Sequence, residues 1–325
     1  MKYDVITIGG ATEDITFFTK EGVLIDNKKD ILRQKLLAFE HGAKMKIDKS
    51  YSTFGGGAAN TAVNLAGLGF RVASLVPIGD DTRGKRVLAN FKKNKIDIKL
   101  VQKIKGIETG FSFILINPEK IVFSNRAANS ELKVDNSNLK FLKNTKWAFI
   151  TSLSGKWEGN LSKVFSVKNL KVAWNPGHVQ LGSGFKKIEK YIKKTEVLFL
   201  NKDEAIELLI SAGYKKGDKK ILNNPKKLLK IIKSWGPTLV VITSGKNGAD
   251  AYDGKKFYHQ NIIKEVRRVD TTGIGDSFNS SFLAGLDIYK GDIRKSLLLG
   301  AKNSASVISQ QGAQNGLLNK KSIKL

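Results

Sequence analysis

The sequence has no cysteine, and only 5 of its 325 residues are proline. The first absence excludes disulfides and thiolate-bound metals and sets the expectation of a cytoplasmic location. The second, beside 41% hydrophobic residues, fits a folded chain and not a disordered one. No apolar run approaches the length of a membrane span, and Asp4 interrupts the short apolar start. Neither a spanning helix nor a targeting segment is therefore expected, and no membrane partner.

Arginine is scarce as well. The net charge of +27 invites a nucleic-acid partner, yet only 8 of the 56 basic residues are Arg, whose bidentate fork reads bases and phosphates. The lysines are scattered in short groups such as Lys92-Lys93, Lys186-Lys187 and Lys226-Lys227, the pattern of a solvated surface. No nucleic acid is expected as a partner, and retention on DNA or RNA that outlasts moderate salt would be needed to reinstate one. Two phosphate-binding patterns also fail. Gly79, Gly84 and Lys85 have P-loop spacing, but Arg86 stands where the Mg²⁺-binding hydroxyl belongs. After Gly273 and Gly275, the third glycine position of a dinucleotide loop holds Phe278.

What is present is a stretch running Val269-Asp-Thr-Thr-Gly-Ile-Gly-Asp-Ser-Phe278, after which Phe278, Phe282, Leu283 and Leu286 take a helical period. A strand end, a tight loop and a helix start follow from that order. Backbone N–H groups converging there, with the positive end of the helix dipole, would hold an anion such as a transferring phosphoryl group. Asp276 at the edge of that cradle fits two roles, a helix cap or a base that takes a proton from an attacking hydroxyl.

A second glycine-rich stretch, Phe54-Gly-Gly-Gly-Ala-Ala-Asn60, opens another helix with small residues, so nothing bulky blocks a ligand at its N-terminus. Asn60 can offer a donor and an acceptor to a hydroxylated ligand, or be an ordinary helix-surface amide. Upstream, Tyr3 to Ile8 reads as a strand delivering Gly9-Gly10, with Asp14 a turn residue or a substrate ligand. Residues 16 to 54 read as a small projecting sheet, with strands at 35–39 and 44–47 and a polar loop at 26–30. Strands are also predicted at 71–76, 98–101, 110–117 and 120–124, the last two a hairpin around Asn117-Pro118-Glu119.

From 136 onward the chain alternates. Short apolar runs at 147–151, 171–174, 196–200 and 238–243 are separated by helical stretches at 157–168, 185–194, 202–211 and 225–235. This is βαβ rhythm and predicts a doubly wound, mostly parallel central sheet with helices on both faces. Ligands bind such sheets beyond the carboxyl ends of the strands. Polar or glycine-rich residues follow four strand ends, at Asn175-Pro176-Gly177, Asn201 to Glu204, Thr243 to Gly248, and 270 to 276. A last helix is expected near 294–310 and a polar tail over 313–325.

These residues resemble the ribokinase-like (PfkB) carbohydrate kinases. The resemblance rests on Gly55-Gly56, Asn60 and Ala62, with the downstream Gly79-Asp80-Asp81 and Gly84, and then on Asp270-Thr-Thr-Gly-Ile-Gly-Asp276. It spans almost the whole chain, and Ile274 replaces the usual small residue between the glycines. It implies a single ribokinase-like α/β domain over 1–325 with a small β lid, formed mainly by 16–54 and extended by 110–124. It implies an ATP- and Mg²⁺-dependent kinase acting on a hydroxymethyl group of a sugar or nucleoside. Asp276 matches the catalytic base, and Gly273, Ile274 and Gly275 the anion hole. Asp14, Gly55, Gly56 and Asn60 match positions that hold the acceptor. Asn201 and Glu204 match an element near Mg²⁺ and phosphate, with Glu204 reaching the metal through water. Thr243, Gly245 and Gly248 match a loop along the nucleotide, with Asn303 near the adenine. Asp270 matches a monovalent-cation position, which would bring K⁺ activation. A homodimer through the lid is a further implication. Lys44, Lys46 and Arg126 are candidate cations for a phosphorylated acceptor, and a catalytically idle sugar- or nucleotide-binding relative is the competing reading.

Overall fold

The computed structural model describes residues 2–27, 35–117 and 119–323. In chain order β1 (Tyr3–Ile8), β2 (Thr12–Phe18), β3 (Val23–Asp26), β4 (Lys35–Ala38) and β5 (Lys49–Gly55) lead into α1 (Gly57–Gly67). Then come β6 (Val72–Leu75), β7 (Pro77–Gly79), α2 (Thr82–Lys93), β8 (Gln102–Ile104), β9 (Phe111–Asn117) and β10 (Glu119–Asn125). The alternating part comprises α3 (Asn136–Leu142), β11 (Thr145–Ile150), α4 (Trp157–Phe165), β12 (Lys171–Trp174), α5 (His178–Gly182), α6 (Phe185–Ile192), β13 (Val197–Asn201), α7 (Lys202–Ser211), α8 (Lys219–Leu222), α9 (Pro225–Ser234) and β14 (Leu239–Thr243). The hairpin β15 (Ala249–Tyr252) and β16 (Phe257–Gln260) precedes α10 (Ile274–Ile288) and α11 (Ile293–Val307).

The main sheet has the order β16-β15-β14-β13-β12-β11-β1-β6. From β14 to β6 every pairing is parallel, and β15 and β16 add an antiparallel edge that the sequence reading had not anticipated. Parallel strands covered on both faces need apolar side chains both ways, which is why 147–150 in β11, 197–200 in β13 and 239–242 in β14 are unbroken apolar runs. Ala148, Ile150, Leu198, Leu200, Val240 and Ile242 point to one core, together with helices α4 to α9. Trp147, Phe149, Val197, Phe199, Leu239 and Val241 point to the other, shared with α1, α2, α10 and α11. The expected doubly wound architecture is therefore present.

A second sheet, β10-β9-β2-β5, is built from two separated parts of the chain. β2 pairs antiparallel with β5 and parallel with β9, so the 110–124 hairpin belongs to the same sheet as the 12–55 segment. Two predicted strands are corrected. Residues 44–47 are exposed coil whose Lys46 N–H is taken by the Glu21 carboxylate (3.0 Å), and the strand begins at Lys49 instead. Residues 98–101 form a turn because the Asp97 carboxylate accepts from Lys99 N–H (2.9 Å) and Tyr3 O–H (2.7 Å), pinning the chain back onto β1. The last three residues of the expected polar loop at 26–30, and the hairpin tip Pro118, lie outside the described residues.

The stretch that approximates a P-loop is a capped helix start. Asp81 accepts from Gly84 N–H (2.7 Å) and from the N–H and O–H of Thr109, and these bonds hold its carboxyl below the usual range against burial, the largest influence. Arg86, in the place of the P-loop hydroxyl, pairs with buried Glu13 (3.0 Å). The expected polar tail is also corrected. Ala313 is buried, and Leu317, Leu318 and Ile323 pack on the second core. Among the described residues no helix is long and apolar enough to cross a membrane.

Candidate active site

At the carboxyl edge of the main sheet, β1 ends at a glycine pair and β2 carries Asp14 inward, buried at 6% exposure. In register, Asp14 faces Thr53 and Thr12 faces Gly55. A Cβ on Gly55 would lie 2.1 Å from Asp14 Oδ2, so only glycine lets β5 pass that carboxylate. Gly56, with φ 88°, is the N-cap of α1, and a Cβ there would meet the Gly10 carbonyl at 2.5 Å. The chain can thus turn from β5 into α1 against β1 and bring Asn60 to the sheet edge.

α10 starts from the other side. Its N-cap is Gly273 in the left-handed conformation (φ 74°), pressed so closely on Ala313 that a Cβ would sit 2.3 Å from that side chain. The first turn exposes the N–H groups that a 15-residue helix leaves without intrahelical partners. Asp276, in that turn, makes no capping bond to its own helix. It accepts instead from Asn60 Nδ2 across the cleft at 2.8 Å. Burial pushes the Asp276 carboxyl up to about 6, the Asn60 bond pulls it down, and the Asp14 charge raises it again. Asp276 is therefore a neighbour of Asp14, Gly55, Gly56 and Asn60, all of them more than 200 residues before it in the chain.

The loop before α10 is tied down by Asp270. One carboxylate oxygen accepts from Thr272 N–H (2.9 Å) and Oγ1 (2.7 Å), and the other from Gly312 N–H (2.9 Å). At the end of β13, Asn201 and Glu204 form a reciprocal capping box on α7, with bonds of 2.9 and 2.8 Å. Burial pushes Glu204 up to about 7; the Asn201 N–H and Asn175 lower it, and the charges of Glu207 and Asp276 raise it. Asn175, at the end of β12, also bonds the Phe199 carbonyl (3.1 Å) and accepts from Asn279 (3.3 Å).

Beside the α10 N-terminus lies a cavity of about 520 Å³, lined among others by Thr243, Gly245, Gly248, Ile274, Gly275 and Phe278. Gly245 and Gly248 both have positive φ (53° and 81°), letting the chain reverse between β14 and β15 with Ser244 N–H on the Gly248 carbonyl (2.8 Å). The predicted nucleotide loop and the predicted anion hole thus share one wall. Asn303 does not join them. It is fully buried, donating to Asn64 Oδ1 (2.8 Å) and Ser281 Oγ (2.6 Å) and accepting from Leu318 N–H (2.8 Å). The helix face that lines the cavity is Ala301, Ser304 and Ala305, and Asn303 points the other way, into the α1–α10 junction.

Lys44 and Lys46 are exposed on the segment before β5, whereas the Arg126 guanidinium bonds Ser154 Oγ (3.2 Å) just beyond β11. Two residues at the candidate site had no role assigned from the sequence. Asn175 stood among the polar strand ends, as the residue before Pro176-Gly177. Gln314 had no such signal, since it sits in what reads as a tail, yet its Nε2 donates to Asn60 Oδ1 at 3.0 Å.

Residues 30–320 match the family described as pfkB family carbohydrate kinase. The chain is 26% identical over 327 residues to an ATP-dependent 6-phosphofructokinase of Thermoanaerobacterium thermosaccharolyticum, covering 96% of this chain and 90% of that one. Its structure is similar to a Methanocaldococcus jannaschii nucleoside kinase, an archaeal member of the ribokinase family, with a TM-score of 0.76 and 25% identity over 98% of this chain and 96% of that one. It also resembles Arabidopsis thaliana ribokinase complexed with ribose and ATP, with a TM-score of 0.80 and 17% identity over 99% and 97%. The fold is the ribokinase fold. With the sequence match, the fold and the order of the two glycine-opened helices in agreement, the chain belongs to the pfkB family of carbohydrate kinases and is a phosphotransferase with an alcohol group as acceptor.

Proposed function

We propose that the chain transfers the γ-phosphoryl group of ATP to a hydroxymethyl group of a sugar or nucleoside, with Asp276 as general base. The observation that carries this reading is the position of Asp276. It stands in the first turn of α10, whose Ile274 and Gly275 line the 520 Å³ cavity, and its carboxylate accepts from Asn60 and feels the charge of Asp14. In this reading the nucleotide lies along Thr243, Gly245 and Gly248, and the alcohol binds against Asp14, Gly55, Gly56 and Asn60. Asp276 takes the hydroxyl proton, and the N–H groups of Gly273, Ile274 and Gly275 hold the charge developing on the transferred group. A carboxyl with its proton affinity raised to about 6 is ionised at neutral pH and still basic enough for that work.

The donor set fits a metal that arrives with its substrate. Among the described residues no group of three His, Cys, Asp or Glu side chains could hold a metal ion by itself. Mg²⁺ is commonly bound through one or two carboxylates, water and substrate phosphates. Glu204, with Asn201 beside it, would hold it through water, and the ion supplies charge neutralisation at the phosphates. Asp270 carries no part of this scheme, since one of its oxygens accepts from Thr272 in the loop before α10 and the other from Gly312 in the segment after α11; K⁺ at that residue would be an addition to this role.

The second sheet acts as a lid that closes over the alcohol and excludes water, limiting wasteful hydrolysis. Apolar side chains are exposed on its β10, with Phe123 at 56%, and on the separate two-stranded sheet of β3 and β4, with Val23 at 67% and Leu24 at 54%. A second copy of the chain is the occupant proposed for that surface, because exposed apolar patches of this kind mark interaction sites. Incubating the protein with ATP and Mg²⁺ over a panel of sugars, sugar phosphates and nucleosides tests the reading by ADP release. Failure to phosphorylate any of them, with binding intact, would favour a catalytically idle relative.

A further inference from the structure

Four side-chain amides stand in a row that ends on Asp276. Asn94 Nδ2 donates to Asn90 Oδ1 (3.1 Å), Asn90 Nδ2 to Gln314 Oε1 (2.7 Å), Gln314 Nε2 to Asn60 Oδ1 (3.0 Å), and Asn60 Nδ2 to Asp276 Oδ2 (2.8 Å). Every bond runs in the same direction. The row joins α2, the segment after α11, α1 and α10, which are far apart in the chain.

The direction has a physical cause. An ionised carboxylate only accepts, so Asn60 must turn its NH₂ toward Asp276 and its carbonyl away. That carbonyl then needs a donor, which makes Gln314 present its NH₂ and leaves its own carbonyl for Asn90. Reversing any one amide sets like ends against each other along the row. The segment carrying Gln314 is held at both ends, by Gly312 N–H on Asp270 (2.9 Å) and Leu318 N–H on Asn303 (2.8 Å). Gln314 is therefore delivered to Asn60 by the same bonds that tie the loop before α10.

We propose that Gln314 is a positioning residue of the active site, which locks Asn60 so that its NH₂ and not its carbonyl faces the Asp276 carboxylate. The inference rests on the reading of Asp276 as general base. Without the lock the Asn60 amide rotates, and the carboxylate loses the donor that keeps it ionised. The other charged groups that act on Asp276 are Asp14 from β2 and Glu204 from α7, both carboxyls that favour its protonated form. Asn60 is thus the donor working against them, and Gln314 governs which end of it points inward. Hydrogen bonds along such a row also polarise one another, so the influence extends back to Asn90.

The decisive variant is Gln314→Glu, which keeps the length of the side chain and replaces its donor by an acceptor. The new carboxylate accepts from Asn60, whose carbonyl then meets Asp276. The acid limb of the kcat/KM profile is expected to move up by at least roughly one unit, about a tenfold loss on that limb, from the loss of one hydrogen bond to a charged group, with the added negative charge acting in the same direction and Gln314→Met separating the two. Gln314→Met, which only frees Asn60, is expected to move the limb in the same direction by less, and Asn90→Asp, two amides removed from Asn60, to do so as well. A carbon-13 titration of the Asp276 carboxyl without substrate, assigned by its loss in Asp276→Asn, reads the same shift independently of the acceptor. A Gln314→Glu protein that melts like the wild type and titrates like it at Asp276 overturns the proposal. Should Gln314→Glu not fold, Gln314→Met carries the test, and an unmoved titration there overturns it equally. A wild-type protein that phosphorylates nothing removes the kinase reading instead, while the titration still tests the row.

Discussion

The two halves of the site are built in different ways. The cavity side is made by consecutive stretches, with Thr243 to Gly248 a single turn after β14 and Gly273 to Gly275 a single helix start. The side proposed for the acceptor is assembled from four remote pieces: Asp14 on β2, Gly55 to Asn60 at the β5–α1 junction, Asp276 on α10, and Gln314 beyond α11. A local turn keeps its shape through backbone conformation, which glycine permits. A long-range assembly keeps its shape only through side-chain bonds between elements. Substitutions in the Thr243 to Gly248 turn are expected to act mildly and mainly on nucleotide affinity, and those on the acceptor side strongly and on turnover.

The sharpest break of that contrast is Asp276→Asn. It is expected to lower kcat at least about 100-fold with the KM for ATP nearly unchanged, because only the proton acceptor is removed. Steady-state kinetics with the best acceptor checks it, and near-normal turnover would take Asp276 out of the mechanism.

Next in size is Asn303→Leu, which leaves Asn64 and the Leu318 N–H short of partners in the buried junction behind the site. Stability is expected to fall by about 2 kcal/mol, the effect of stranding buried polar groups. The KM for ATP of the folded fraction should not move. A rise in that KM without loss of stability, read from urea melts beside kinetics, would return Asn303 to the nucleotide pocket.

The pH dependence follows from the two carboxyls pushed upward. Below about pH 6 Asp276 holds its proton, so kcat/KM is expected to fall about tenfold per unit there. Stability runs the opposite way. Both groups bind the proton more tightly in the folded chain than in the unfolded one, so the stability this adds is fully present below the ordinary values near 4. It is lost as the pH rises through about 6 for Asp276 and about 7 for Glu204. Glu204→Gln should therefore stabilise the protein at pH 8, on the order of 1 kcal/mol, and change little at pH 4. Equal melting shifts at the two pH values would contradict the assignment.

The smallest effect is expected on the cavity side. Gly245→Ala meets no atom within 4 Å of the added Cβ, so only the left-handed backbone (φ 53°) opposes it. That is worth about 1 kcal/mol, up to fivefold in the KM for ATP, with kcat kept. A loss of kcat as large as that of Asp276→Asn would erase the difference between the halves.

The same division governs what could be read in advance. The parallel sheet was legible because strands such as Leu239–Thr243 and Val197–Asn201, covered on both faces, are continuous apolar runs. The glycine loops were legible because left-handed backbone and close approach leave few other residues acceptable. The coil at 44–47 and the turn at 98–101 misled, since short apolar runs look alike whether or not a neighbouring strand lies beside them. Asn303 was misplaced by its nearness in sequence to a cavity-lining face, when one helical residue decides between pocket and core.

By itself the sequence determined the layering of the sheet, the two glycine-opened helices and the family, because apolar periodicity and backbone sterics act over a few residues and leave their mark locally. Only the tertiary structure decided that Asn60 meets Asp276, that the final segment packs rather than trails, and that Gln314 stands behind Asn60. Those are contacts between residues more than 200 positions apart. A polar side chain has no periodicity of its own, and its partner is set by which elements the folded cores bring to the same edge.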